Sequence, residues 1–194
     1  MFEEESALHA RSRASLDFMI SDESLMLNFQ RGSREAFEEL FARYREPLYR
    51  FFRRRLENTQ RAEDLTQEAF VAVIQATERY EPRARMKTYL YGIALNLLRA
   101  ERREQAKKHS AEILCEPSAT SSSDAEIWVR DALRKLGSTE REILMLREYE
   151  QLSYSEIAGI FRLPVNTVRS RLFRARMALK EHLEPAAQLK RAET

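Results

Sequence analysis

Between residues 36 and 56, the apolar side chains Ala36, Phe37, Leu40, Phe41, Tyr44, Leu48, Phe51, Phe52 and Leu56 recur at helical spacing. Such a period gathers them on one face of an α-helix and does not fit the strict alternation of a half-buried strand. The same period returns in later segments. With only 4 Gly and 5 Pro in 194 residues, the chain lacks the turn residues a sandwich or barrel demands. An all-α fold is expected, and the length suits one ordinary domain or two small ones. No apolar run approaches the ~18 residues of a membrane span, so no membrane insertion is expected. Three glutamates follow Phe2, unlike the basic and then apolar order of a secretory signal. A single cysteine, Cys115, cannot form an internal disulfide and fits a reducing, cytoplasmic setting. His9, His109 and His182 are too scattered to build a metal site with it. No nucleophile–base pair or phosphate loop is visible, so neither enzymatic activity nor a cofactor is expected.

The chain reads as two helical domains and a tether. Residues 1–20 form a weakly periodic extension. Ser21 can cap a short helix closed by Gly32, and Ser33 caps the next, which Pro47 should kink near Arg43–Tyr44. Asn58 or Thr59 caps a third helix running to about Arg79. The stretch Tyr80-Glu81-Pro82-Arg83-Ala84-Arg85 breaks the pattern, and a fourth helix starts at Thr88 and ends near Lys108. The first domain is thus 21–108. Residues 109–123, with Pro117 and a Ser/Thr-rich run, read as a linker that could span roughly 50 Å. The second domain, 124–184, holds helices at about 124–136, 139–149, 153–161 and 165–183, with Thr139 and Glu142 forming a capping box. Residues 185–194 read as a frayed tail.

Charge is segregated behind a net value of only +2. Residues 81–108 carry net +5 and residues 161–180 net +6, with net −4 over 109–126 between them. Two basic patches suggest two contacts with a polyanion, although a basic helix face can also be merely solvated.

The second patch lies in a helix-turn-helix. Ser153 and Glu156 form a capping box on a short helix, Arg162-Leu163 make the turn, and Pro164 suits the start of the next helix. In that helix Val168, Leu172, Ala175 and Leu179 make a narrow apolar seat. Asn166, Arg169, Ser170, Phe173 and Met177 lie opposite, flanked by Arg174 and Lys180. Such a face suits a major groove: Arg pairs bidentately with guanine and Asn with adenine. The alternative is a bundle helix with a solvated basic face.

In the first domain two faces are left over from the core. On the third helix Ala62, Leu65, Ala69, Ala72, Val73 and Ala76 point inward. Asp64, Gln67, Glu68, Val71 and Gln75 share another arc, an acidic rim around a small apolar centre, as in a docking surface. An ordinary solvated face is the other reading. On the fourth helix Leu90, Ile93, Ala94, Leu97 and Leu98 are expected inside, with Tyr89, Gly92, Asn96, Arg99 and Arg103 along the opposite flank. Together with Tyr80, Arg83, Arg85 and Lys87 in the preceding loop, these supply the rings, amide and cations that unpaired DNA asks for. The alternative is that Tyr80 and Tyr89 pack as core.

The chain resembles a bacterial RNA polymerase sigma factor of the extracytoplasmic function (ECF) group over about residues 22–183. Ala36–Leu56 looks like the family's first conserved stretch of domain two. Ala62-Glu63-Asp64-Leu65-Thr66-Gln67-Glu68-Ala69-Phe70 is similar to its core-polymerase-binding helix, and Tyr89-Leu90-Tyr91-Gly92-Ile93-Ala94-Leu95-Asn96 to its promoter-melting helix. Leu152–Ala158 and Pro164–Arg176 look like domain four. The resemblance implies that Asp64, Gln67 and Glu68, with Val71 and Gln75 on the same arc, bind the β′ clamp helices of core RNA polymerase. It implies that Tyr80, Arg83, Arg85, Lys87, Tyr89, Asn96, Arg99 and Arg103 capture the melted minus-ten strand. Asn166, Thr167, Arg169, Ser170, Phe173 and Arg174 would read the minus-thirty-five element as duplex. Further implied partners are the β flap and an anti-sigma factor, and the linker would thread toward the RNA exit path. Gly92 stands where the family usually has a large basic residue, Tyr89 where it usually has Trp, and Asn166 where Gly is common. The rival is a stand-alone helix-turn-helix regulator that binds duplex DNA with its second half alone.

Overall fold

A computed structural model of the chain describes the backbone of residues 20–109 and 124–192, and side chains within 20–107 and 127–183. The extension before residue 20 and the segment 110–123, with Cys115, lie outside the described residues. Among the described residues there are eight α-helices and no strand. They are α1 (Asp22–Gln30), α2 (Arg34–Arg53), α3 (Thr59–Ala76, followed by a 3-10 turn, Thr77–Arg79), α4 (Met86–His109), α5 (Asp124–Arg134), α6 (Ser138–Glu148), α7 (Tyr154–Phe161) and α8 (Val165–Ala192). The chain divides into two compact units, Met1–Leu98 and Arg99–Thr194. The division falls inside α4, ahead of the polar segment where composition places it.

In the first unit the local start signals act as the sequence predicts. Ser21 Oγ accepts from Ser24 N at 3.2 Å, Ser33 Oγ from Ala36 N at 3.2 Å, and Asn58 Oδ1 from Arg61 N at 3.0 Å. Each satisfies a helix N–H that would otherwise have no partner, an effect of about 1 kcal/mol. Gly32, at φ +100°, closes α1; a side chain there would be strained. α2 continues through Pro47 as one helix, with Tyr44 and Leu48 buried on either side. Met26, Leu48, Phe51, Phe52, Leu65, Leu90 and Leu98 make a fully buried core. Truncating Phe51 or Phe52 to Ala would cost about 3–5 kcal/mol.

α4 departs from its sequence reading in two ways. It starts at Met86 and not at Thr88, because Glu23 of α1 reaches across and accepts the Met86 N–H at 2.8 Å. Its inner face is Leu90, Tyr91, Ala94, Leu95 and Leu98, whereas Ile93 and Leu97 are only half-buried. Two adjoining apolar stripes compete on this helix. Packing selects the one that sets the Tyr91 ring 5.5 Å from that of Phe51.

In the second unit, α6 begins at Ser138 with Gly137 at the cap position, and the Thr139–Glu142 capping box does not form. Glu142 is instead buried and accepts from Arg102 Nη1 at 2.9 Å. The Ser153–Glu156 box does form, with both reciprocal bonds present. Arg162 ends α7 in the left-handed region at φ 53° and ψ 46°, letting the Leu163 N–H reach Ala158 O at 3.0 Å. For an L-residue this costs about 1–2 kcal/mol, the strain of a tight turn between two helices. Val168, Leu172 and Ala175 seat α8, with Leu179 half-buried at the end of the stripe. α8 then runs past Pro185 to Ala192, where the sequence suggests a frayed tail. A proline within a helix removes one i→i−4 bond without compelling the chain to leave it.

Candidate nucleic-acid interface and docking surface

On α3 the outer arc forms as expected. Gln67, Glu68 and Gln75 are exposed, Val71 is 50% exposed and Asp64 half-buried. The structure adds two residues. Ile74 is 46% exposed and widens the apolar centre; at about 100° per residue it falls on the edge of the same arc. Arg61 Nη1 lies 2.8 Å from Glu68 Oε1 and 3.9 Å from Asp64 Oδ2. The acids therefore hold an internal cation, in an exposed contact weak enough for a partner's cation to replace. Beneath the arc Phe70 is buried against Phe41, ring centroids 4.7 Å apart, and edge-on to Phe37 at 6.2 Å.

The loop before α4 presents its cations and hides a ring. Arg83 and Arg85 are exposed and Lys87 is half-buried. Tyr80 is 6% exposed, so it does not stand out on the loop as a free stacking platform. It supports Tyr89, whose half-exposed ring lies 5.5 Å away at 65°. Apolar burial outweighs the pull of a polar loop at this position. Burial pushes both hydroxyls above the ordinary tyrosine range, with Glu23 adding to the effect at Tyr80. Both rings are therefore neutral at physiological pH. The Tyr80 hydroxyl has no hydrogen-bond partner among the described residues. Along α4, Asn96 and Arg103 are exposed. Gly92 lies between Tyr89 and Asn96, and a Cβ there would meet nothing within 4 Å. Arg99 is less available than its place on the flank suggests. It is half-buried, with its guanidinium 4.9 Å from the centre of the Phe161 ring.

The cations of α8 separate into two sets. Arg176 forks onto Glu148 Oε1, with Nη2 at 2.7 Å and Nε at 3.2 Å, and Arg171 pairs with Glu140 at 3.5 Å. The Glu148 bond holds the Arg176 guanidinium above even its usual high range. These two arginines tie α8 to α6. Arg169 and Arg174 are exposed with Asn166, Ser170 and Phe173, the last 62% exposed; Thr167 is half-buried. Ser170 Oγ donates to Asn166 O at 3.0 Å, so its hydroxyl hydrogen is already used. The residue types facing outward are donors of the major-groove kind, an amide and two guanidiniums, around one large ring. Among the described residues no group of His, Cys, Asp and Glu could hold a metal ion. Among them, too, no helix is long and apolar enough to cross a membrane.

Comparison with known proteins joins the two surfaces. The model of sigma-70 region 2 matches residues 40–108 and that of sigma-70 region 4 matches 126–179. The sigma-H factor of Pseudomonas aeruginosa is 32% identical over 182 residues, 84% of this chain and 94% of that protein. CarQ of Myxococcus xanthus is 33% identical, covering 81% and 95%, and the ECF sigma-E factor of Escherichia coli K12 is 30% identical, covering 86% and 96%. Among solved structures, CnrH in complex with the cytosolic domain of CnrY matches with a TM-score of 0.66 and 26% identity, covering 84% of this chain and 97% of that one. The sigma factor RpoE of Bartonella quintana, solved with the anti-sigma factor NepR, has the same fold at a TM-score of 0.63 and 23% identity. The chain belongs to the RNA polymerase sigma factors of the ECF group. Its function is that of an alternative sigma factor, and the stand-alone regulator is not favoured, because both regions match in their family order.

Proposed function

We propose that the outward faces of α3, α4 and α8 divide the work of initiation among polymerase docking, minus-ten capture and minus-thirty-five reading. The outer arc of α3, Asp64 to Gln75 with Ile74 added, docks on the β′ clamp helices. Its acids meet the partner's cations while Val71 and Ile74 are covered. Tyr89, Asn96 and Arg103, with Arg83, Arg85 and Lys87 from the loop, hold the unpaired minus-ten strand. The Tyr89 ring stacks on a base, the Asn96 amide reads an edge, and the cations meet phosphates. On α8, Asn166, Arg169, Phe173 and Arg174 meet the minus-thirty-five duplex. The observation that carries this reading is the sorting of the α8 arginines: Arg171 and Arg176 are paired with glutamates of α6, and Arg169 and Arg174 are exposed beside an exposed amide and ring.

The chain acts in the cytoplasm as an initiation factor with no chemistry of its own. It has the β flap as a further polymerase contact and an anti-sigma factor as inhibitor. The support for the inhibitor is that RpoE, of the same fold, is solved in complex with the anti-sigma factor NepR, and that CnrH is likewise solved in a complex, with the cytosolic domain of CnrY. Run-off transcription with sigma-free polymerase on fragments of the source genome tests the whole reading. Specific start sites are expected only when both proteins are present. Asn96→Ala should lower promoter opening more than polymerase association; equal loss of both contradicts the role given to Asn96.

A further inference from the structure

We infer that α1 is a strap holding both ends of the DNA-capturing loop 80–85, with Glu23 and Gln30 as its positioning residues. The inference rests on the minus-ten role proposed above for that loop. Gln30 Nε2 donates to the carbonyls of Thr77 at 2.9 Å, Tyr80 at 3.2 Å and Glu78 at 3.3 Å. These carbonyls end α3 and its 3-10 turn, where helical N–H partners run out; of the three, Thr77 O also accepts the Tyr80 N–H at 3.1 Å. At the other end of the loop Glu23 Oε1 accepts the Met86 N–H at 2.8 Å across 63 residues of sequence. A carboxylate there does the work of an N-cap and faces the positive end of the α4 dipole.

Glu23 and Gln30 are seven residues apart and so lie on one face of α1, about 10 Å from each other along its axis. The loop itself does not fix that spacing, because six residues can stretch to about 20 Å. α1 can fix it because α1 is itself immobile. Leu25 and Met26 are buried, and Asp22 is bound by Arg43 Nη1 at 2.9 Å and by the Tyr44 hydroxyl. A loop held at both ends has less conformational freedom to lose when it takes up an unpaired strand. The strap thus favours strand capture without touching DNA, and it leaves the docking arc of α3 unaltered.

The test compares Glu23→Ala, Glu23→Gln, Gln30→Ala and Gln30→Glu as full-length chains. Hydrogen exchange of the Met86 amide in the free protein is read first. It should be protected in the parent and in Glu23→Gln, whose amide oxygen still accepts, and should exchange about tenfold faster in Glu23→Ala, the loss of one hydrogen bond to a charged group. Each chain is then assembled with sigma-free polymerase on a genomic fragment that the parent holoenzyme transcribes. Opening is read by permanganate reactivity of thymines and association by competition. Glu23→Ala, Gln30→Ala and Gln30→Glu should open about tenfold less with unchanged association, while Glu23→Gln opens as the parent does. Equal Met86 exchange in parent and Glu23→Ala overturns the strap, as does opening that matches the parent or falls only in step with association. If the parent holoenzyme transcribes no genomic fragment at all, the DNA reading is overturned instead, and the exchange result still decides the strap.

Discussion

The Tyr44 hydroxyl donates to Oδ2 of Asp22 at 2.5 Å and so joins α2 to α1 across 22 residues of sequence. Arg43 Nη1 takes the other carboxylate oxygen at 2.9 Å. Burial first, and then this bond to Asp22, push the Tyr44 hydroxyl far above the ordinary tyrosine range. In the unfolded chain the same hydroxyl ionises near its usual value of about 10. The folded state therefore keeps a proton that the unfolded state releases. The stability contributed is fully present below about pH 10 and is lost as the pH rises beyond it. Tyr44→Phe should be about 1 kcal/mol less stable than the parent at pH 7. The gap should narrow at about pH 10.5, because the variant no longer carries the titrating group. Urea melts at the two pH values check this; a constant gap contradicts it.

Asp64→Lys combined with Glu68→Lys should lower affinity for core polymerase by about tenfold or more, since the partner's cations would meet like charge. Ile74→Asp should weaken the same association by about 1–2 kcal/mol, the burial of one aliphatic side chain. None of these side chains belongs to the core, so thermal unfolding should stay close to that of the parent. Anisotropy titrations against sigma-free polymerase, alongside melting curves, test both statements.

Arg169 and Arg176 sit two turns apart on α8 and should fail in different ways. Arg169→Ala should cost about 1–3 kcal/mol in binding to the upstream promoter element if its guanidinium meets a base. It should leave stability unchanged. Arg176→Ala removes the fork onto Glu148 and should destabilise the second unit by less than about 1 kcal/mol, because the pair is half-exposed. Footprinting of the holoenzyme and urea melts separate the two effects; identical profiles would contradict the sorting of the arginines.

Gly92 lies inside α4 with open space where a Cβ would point. Gly92→Ala should therefore stabilise the chain by up to about 1 kcal/mol, the usual gain when a helical glycine acquires a methyl group. A rise in the melting temperature with unchanged polymerase association is expected. A fall would mean that the flank is not open.

Much of this protein is legible along the chain, because a helix of 3.6 residues per turn writes its buried face into local spacing. The caps at Ser21, Ser33, Asn58 and Ser153 are local in the same sense, since a side chain there needs only the backbone two or three residues ahead. So are the seat of α8 at Val168, Leu172 and Ala175, and the outer arc of α3.

What only the tertiary structure decided is every contact between residues distant in sequence. The start of α4 was set by Glu23 from another helix, and its inner face by the Phe51 ring, not by the equally apolar Ile93 and Leu97. Glu142 left its expected capping role for Arg102, and Arg171 and Arg176 were assigned to structure by Glu140 and Glu148. Tyr80 was drawn into the core although its neighbours are polar. Periodicity reports which side chains prefer to be covered. It carries no record of which distant group covers them, and that choice fixes which charges and rings remain outside to meet polymerase and DNA.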